Sequence, residues 1–230
     1  MATSSKTAPV ILAALWLLAC SAAAGEPRLF RDFVFGMPKS ELLELPDIYD
    51  CSADFGEDGW LCLPDGGDTF ANTGVEVAFA LIDDSLFSVT LATEFSDQKY
   101  VDFIAALSSR HELIAVSASQ GVLDLLVEAR NAGGDQAAYT KRLADFERQA
   151  LQEGNVSYTF VARSWLQSPS AAGAQNAVEL FGRMGPDGRV VELSAAEGEY
   201  ADEAFLTVRF TLPKMLETMI ANKAQQDDDF

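Results

Sequence analysis

The chain has 230 residues, with 35 acidic and 16 basic side chains and a formal net charge of −19. This charge argues against binding to nucleic acid or to an anionic membrane, and it favours cations or a basic protein surface as partners. The apolar content of 49% is ordinary for a globular protein, so the composition excludes a disordered chain and allows a substantial core.

Residues 1–24 predict a secretory signal peptide. Lys6 gives a positive start, an apolar run follows at 8–19, and small residues occupy 21–25. The apolar run is too short for a permanent membrane helix, which needs about 20 residues. We therefore expect export to the periplasm or the medium, with no transmembrane segment in the mature chain. Without residues 1–24, the chain keeps 15 basic and 35 acidic residues and a net charge of −20.

Cys20 leaves two interpretations of this signal open. Small residues at 22–24 fit cleavage before Gly25 and release of the protein. Residues 17–20, Leu-Leu-Ala-Cys, also resemble a bacterial lipobox, in which Cys20 would carry a lipid anchor in the outer membrane. The bulk of Leu18 at a position that usually holds a small residue favours release.

Cys51 and Cys62 are the two cysteines that remain after Cys20, and a pair in an exported chain predicts a disulfide. On the chain-entropy model a loop of this size contributes about 3 kcal/mol. A redox-active pair is the alternative. Such pairs usually have the spacing C-x-x-C, and the acidic surroundings here would raise the pKa of a thiol, so we favour the structural bond.

Hydrophobic periodicity and turn residues predict the elements of the first part of the chain, ending with an amphipathic helix. They are a strand at 29–35, a helix at 40–45, a hairpin at 75–81 and 86–93, and a helix at 97–110. The second part follows with a strand at 114–117, helices at 122–129 and 139–150, a strand at 156–166, a helix at 178–184, strands at 190–194 and 204–212, and a helix from 213.

These elements predict an α+β fold, an antiparallel sheet with helices packed on one face. Their order further suggests two similar strand–helix–hairpin–helix halves, at 28–111 and 155–226, joined by a helical connector at 121–153. We expect one exported domain over 25–226, followed by an acidic tail at 227–230.

The segment 33–42 reads Phe-Val-Phe-Gly-Met-Pro-Lys-Ser-Glu-Leu. It resembles the opening of outer-membrane assembly lipoproteins of the SmpA/OmlA type, in which a strand, a Gly-Met turn and a helix precede a β-meander with a β-lactamase-inhibitor-like fold. The resemblance extends over 29–94 and implies an envelope protein of a non-catalytic type. The chain departs from it in Pro38 and in its whole second half, and no binding residue carries over.

Charge is uneven along the chain, because residues 40–98 contain fourteen acids and no Lys or Arg. We take the acids around the cysteine pair as a candidate partner-binding face: Asp54, Glu57, Asp58, Asp65 and Asp68. A solvated face that keeps the protein soluble is the alternative interpretation. Phe55, Trp60 and Phe70 could form a stacking face or a small core that the disulfide supports.

No pattern in the sequence indicates a catalytic residue, a cofactor or a metal site. His111 is the only histidine, at a predicted helix end, and we expect a capping or surface role for it. Oxygen ligands for calcium are abundant, but no EF-hand spacing occurs. The leading hypothesis is a non-enzymatic envelope protein that binds a protein partner. The alternative is a periplasmic hydrolase that uses carboxylates or bound calcium.

Overall fold

The computed structural model describes residues 27–197 and 204–228, so the predicted signal peptide and Cys20 lie outside the described residues. The strands are β1 (Arg28–Phe30), β2 (Phe33–Val34), β3 (Tyr49–Asp50), β4 (Trp60–Phe70), β5 (Thr73–Ile82), β6 (Ser85–Glu94), β7 (His111–Ala118), β8 (Gly121–Asp124), β9 (Asn155–Ala162), β10 (Val190–Glu197) and β11 (Ala204–Thr211). The helices are α1 (Lys39–Leu42), α2 (Ser52–Phe55), α3 (Asp97–Ser108), α4 (Leu125–Asn131), α5 (Gln136–Gln152), α6 (Arg163–Leu166), α7 (Ala177–Gly182) and α8 (Pro213–Asp228).

Nine of these strands form one sheet in the order β3-β4-β5-β6-β11-β10-β9-β7-β8, and every neighbouring pair is antiparallel. The prediction of an α+β fold on an antiparallel sheet is therefore confirmed. No helix in the described part of the chain is long and apolar enough to cross a membrane.

The main core lies on the face of the sheet that the long helices cover. Side chains alternate between faces along a strand, so Tyr158 and Phe160 of β9 point to one side while Val161 points to the other. Phe103 of α3 and Ala150 of α5 are buried against Tyr158, Phe160 and the apolar side chains of the other strands. This arrangement confirms the helix-covered face.

A second, smaller core covers part of the opposite face. Val161 and Val190 are buried there together with Leu180 of α7, and Trp165 of α6 packs against them. The short helices α6 and α7 thus cap one end of the sheet from the side away from α3 and α5.

The strand predicted at 29–35 is a tight hairpin of β1 and β2 that lies outside the nine-stranded sheet. The chain reverses at Arg31, whose φ of 47° is in the left-handed region, where non-glycine residues are uncommon. Leu29 and Phe30 on this hairpin are buried in the main core. The prediction of one continuous strand over 29–35 is therefore wrong.

Three later elements have boundaries that differ from the predicted ones. Residues 122–124, predicted as the start of a helix, belong to β8, and α4 begins only after Asp124, whose Oδ1 accepts hydrogen bonds from the backbone N–H of Leu126 and Val127. The strand predicted at 156–166 ends at Ala162, where α6 begins. Helix α8 includes Asp227 and Asp228, where the acidic tail was predicted to start.

The two proposed halves both contribute to the single sheet, since β6 pairs with β11. The three strands of the second half, β9, β10 and β11, are neighbours in the sheet, whereas the opening hairpin of the first half stays outside it. The internal repeat and the domain boundaries stay predictions.

Candidate functional site

Cys51 and Cys62 form a disulfide, as the sequence predicted, and both residues are almost fully buried. The bond joins the residue before α2 to the edge of the sheet, with 5.8 Å between the two Cα atoms. We use the name disulfide corner for residues 49–62, which comprise β3, α2, the following turn and the start of β4.

The disulfide corner is built from local hydrogen bonds around α2. The Ser52 hydroxyl accepts from the backbone N–H of Trp60 at 3.1 Å and donates to the Trp60 carbonyl at 3.3 Å. The turn requires glycine at Gly59, where φ is 92° and a Cβ atom would lie 2.8 Å from the carbonyl oxygen of Leu81. The Gly59 carbonyl in turn accepts from the Leu81 N–H at 2.8 Å. A helix of four residues is thus held in place from both of its ends.

An aromatic pair forms the outer surface of this corner. The rings of Phe55 and Trp60 are stacked, with centroids 4.1 Å apart and planes 11° from parallel. Phe55 is 47% exposed, whereas Trp60 packs against the buried cysteines. The Trp60 indole N–H donates to the Glu57 carboxylate at 3.2 Å. Of the two interpretations of these aromatics, Trp60 fits the supporting core and Phe55 fits an exposed face.

Three of the five predicted acids lie on the disulfide corner. Asp54 is in α2, and Glu57 and Asp58 are in the turn after it; all three are exposed. Within the described residues, no Lys, Arg or His forms a salt bridge with any of them. Their charges therefore face solvent without a basic partner.

Asp50 at the base of the corner has a different role. Its carboxylate accepts hydrogen bonds from the Ser52 N–H at 3.1 Å and from Lys39 Nζ at 3.0 Å. The hydrogen bonds from Ser52, followed by the one from Lys39, lower the pKa of Asp50 to about 2. This carboxylate links α1 to α2 and is already paired.

The other two predicted acids are separated from this corner. Asp68 pairs with Val75 and so points to the helix-covered face, where it forms a salt bridge with Arg31 and its side chain is only 10% exposed. Asp65 lies in the bulge of β4 and lines a separate cleft of about 330 Å³ with Glu76 and Lys99. The candidate face therefore reduces to Asp54, Glu57 and Asp58.

Exposed apolar side chains are concentrated on the same segment of chain, which the sequence analysis missed. Four large apolar residues between positions 43 and 55 are at least 41% exposed, namely Leu43, Leu45, Tyr49 and Phe55. Helix α1 is shorter than the helix predicted at 40–45, and Leu42 is the one leucine of the three at 42–45 that is buried. Phe70, by contrast, packs edge-on against Phe103 in the main core.

The remaining candidates give no catalytic arrangement. His111 is half-buried, and its Nδ1 lies 3.2 Å from the Leu107 carbonyl oxygen at the end of α3. Among the described residues, no group of three or more His, Cys, Asp and Glu side chains could hold a metal ion. The hydrolase alternative thus gains no supporting observation from this part of the chain.

Comparison of the chain with models of protein families, with curated proteins and with solved structures finds no match. The site is therefore interpreted from its own geometry.

Proposed function

We propose that this chain is an exported, non-enzymatic binding protein of the bacterial envelope, and that its disulfide corner docks against a basic protein surface. One observation carries the proposal. The corner presents three exposed carboxylates, which no basic side chain of the described residues pairs with, beside the exposed ring of Phe55 on a segment that a disulfide holds in place.

Each part of the corner has a physical role in such an interaction. Unpaired carboxylates attract a basic surface and suppress wrong partners by charge repulsion. Phe55 offers an apolar anchor, and aromatic residues are enriched among the contacts that dominate binding energy. The disulfide and the Ser52 hydrogen bonds fix α2 before binding, which lowers the entropy lost on association.

Export supplies the setting for this role. The predicted signal peptide and the disulfide both support an oxidising compartment outside the cytoplasm. In the periplasm or the medium the mature chain would act as a free protein. Under the lipobox interpretation, Cys20 would anchor it to the outer membrane. Either form would present the same disulfide corner.

The test is a pull-down from the periplasmic fraction of the producing organism, with three forms of the mature protein. The corner variant carries Asp54→Asn, Glu57→Gln and Asp58→Asn. The matched control carries Asp32→Asn, Asp84→Asn and Asp187→Asn, which remove the same charge at three exposed positions elsewhere. A partner bound through the corner should be recovered by wild type and control, lost from the corner variant, and released when salt shortens the Debye length to about 3 Å.

Phe55→Ala separates a specific interface from attraction by charge alone. It should also lose the partner, although it keeps all carboxylates, because truncating an anchoring aromatic removes on the order of 2 kcal/mol or more of binding energy. A partner that binds the corner variant as well as it binds wild type would contradict the proposal. Recovery that falls equally in the corner variant and the control would reduce it to an effect of net charge.

A further inference from the structure

Three basic side chains come together at the end of the sheet where β7 and β10 begin. His111 pairs with Ala162, and Val190, the first residue of β10, pairs with Val161. Extending that register by one residue places Arg189 on the other side of Ala162 from His111. Two strand spacings put the Cα atoms of His111 and Arg189 about 10 Å apart. The alanine between them fills little of this space. Arg110 directly precedes His111 in the turn after α3.

The hydrogen bonds among the described residues leave two nitrogen atoms of this cluster without partners. His111 is oriented by the contact between Nδ1 and the Leu107 carbonyl, which leaves Nε2 without a hydrogen-bond partner among the described residues. Arg189 donates from Nη1 to the carbonyl oxygen of Leu29 at 3.0 Å. Its Nε is buried and has no hydrogen-bond partner in the described part of the chain. A buried guanidinium N–H without an acceptor is costly.

Neither Arg110 nor Arg189 forms a salt bridge with a carboxylate of the described residues, although the chain carries 35 acids. Within the described residues, eleven basic side chains form salt bridges, and Arg110 and Arg189 are not among them. Burial and then the nearby Arg110 charge lower the pKa of Arg189. Burial also lowers the pKa of His111, and the charges of Arg189 and Arg110 add to this effect. The two guanidinium charges repel each other and oppose protonation of His111, and an anion would offset both effects.

We propose that Arg110, His111 and Arg189 bind an anionic ligand through a carboxylate or a phosphate group. A guanidinium group can present paired N–H donors to both kinds of oxyanion. The Nε2 of His111 is an acceptor while Nδ1 alone holds the proton, and it can donate to the same ligand once the bound anion has favoured protonation of the imidazole. The rest of this acidic molecule repels anions, so binding would be confined to this cluster. The inference is independent of the disulfide corner.

His111 can serve as the NMR reporter of anion binding, because it is the only histidine in the chain. The experiment titrates the untagged mature protein with inorganic phosphate and, separately, with acetate, at constant pH and with chloride at equal ionic strength as the reference. The imidazole proton resonance of His111 is followed by NMR. We expect a saturable shift with at least one of the two anions and none with chloride.

Arg110→Gln is the main variant, because Arg110 is exposed and its loss should leave the fold intact. This substitution should raise the dissociation constant for the anion about tenfold, which is the effect of losing one charge-assisted contact. Arg189→Lys keeps the charge but loses the paired donors, and should also weaken binding. Arg148→Gln, at an exposed arginine on α5, is the control and should bind as wild type does.

Each outcome decides the proposal. Saturation by phosphate alone identifies a phosphate ligand, and saturation by acetate alone identifies a carboxylate. If neither anion shifts the resonance beyond chloride, the cluster is not an anion site and Arg189 serves only to hold Leu29. Equal affinity in wild type and Arg110→Gln would place the anion elsewhere and would also overturn the proposal.

Discussion

At the scale of single residues, a polar group lies inside the main core. The Tyr158 side chain is only 1% exposed, and its hydroxyl lies 2.5 Å from that of Tyr100 on α3. Glu147 of α5 interacts with the same Tyr158 hydroxyl. Burial raises the pKa of Glu147 and of both tyrosines, so these groups favour their neutral forms. The cluster joins α3, α5 and β9 through groups that prefer to keep their protons.

Glu147→Gln should therefore stabilise the protein at neutral pH. The pKa of Glu147 is higher in the folded state than in the unfolded state, so its contribution is fully present below the unfolded pKa and is lost as the pH rises through the folded pKa. Glutamine stays neutral throughout. We expect the gain in free energy of unfolding to be about 1 kcal/mol or less, because the half-buried carboxyl is partly screened by solvent. Urea denaturation at pH 4 and pH 8 measures it, and the gain should appear only at pH 8.

Asp145→Asn on the same helix is the control, and we expect the opposite change in its free energy of unfolding at pH 8. Hydrogen bonds from Lys141 and then Arg148 lower the pKa of Asp145, so its stabilising effect is present at neutral pH and is lost as the pH falls through the folded pKa. This variant should lose stability at pH 8. A gain in both variants would show that the result reflects net charge and not the burial of Glu147.

At the scale of elements, α2 depends on the disulfide. Four residues are too few for a helix to persist alone, and α2 has no buried side chain of its own. Its position comes from Cys51, whose bond to Cys62 anchors it to β4, and from the two hydrogen bonds of Ser52 with Trp60.

Cys51→Ala with Cys62→Ala should lower the free energy of unfolding by about 3 kcal/mol, because the unfolded chain regains the entropy of the open loop. Urea denaturation of the oxidised wild type and the double variant measures this loss. Ser52→Ala is a smaller perturbation of the same corner and should cost about 1 kcal/mol. Equal denaturation midpoints for wild type and the double variant would contradict a stabilising role for the bond.

The elements that the sequence predicted well are those with a strong period. The hairpin of β5 and β6 and the helices α3 and α5 are present where alternation or helical spacing placed them. Strand β4 was not predicted because residues 64–67, Pro-Asp-Gly-Gly, are typical of a turn. In the structure these residues form an irregularity within the strand, where the pairing with β5 shifts between Leu63 and Asp68.

At the start of α4 the sequence contains an N-cap signal that conflicts with the helical spacing of the apolar residues. Val122, Leu125 and Leu126 fit a helical spacing, yet Asp124 is a strong N-cap residue and marks Leu125 as the first helical position. Other features had no local signal. The salt bridge of Asp68 with Arg31 depends on the β1–β2 hairpin folding over β4, which no spacing in the sequence reveals. The charge run thus predicted an acidic surface but not which of its members stay exposed.

At the scale of the whole molecule, the hairpin of β10 and β11 connects the strands of the first part of the chain with those of its middle. Strand β11 pairs with β6, and β10 pairs with β9, so the hairpin separates the strands of the first part from those of the middle. The main core is likewise one cluster, whose members include Leu29 near the start of the described chain and Leu212 near its end. Without β10 and β11, both β6 and β9 would expose an unpaired edge, which favours aggregation.

The mature chain should therefore unfold in a single cooperative transition, despite the similar element order of its two ends. Scanning calorimetry tests this, with equal calorimetric and van't Hoff enthalpies as the expected result. A chain that stops before Val190 should fail to fold, because it loses a central hairpin and buried residues such as Leu193 and Val208. A control that stops after residue 225 keeps every strand pair and should unfold as the full chain does. Two separate transitions, or a folded fragment without β10 and β11, would show instead that the first part is an independent unit and that the shared sheet is not what holds the molecule together.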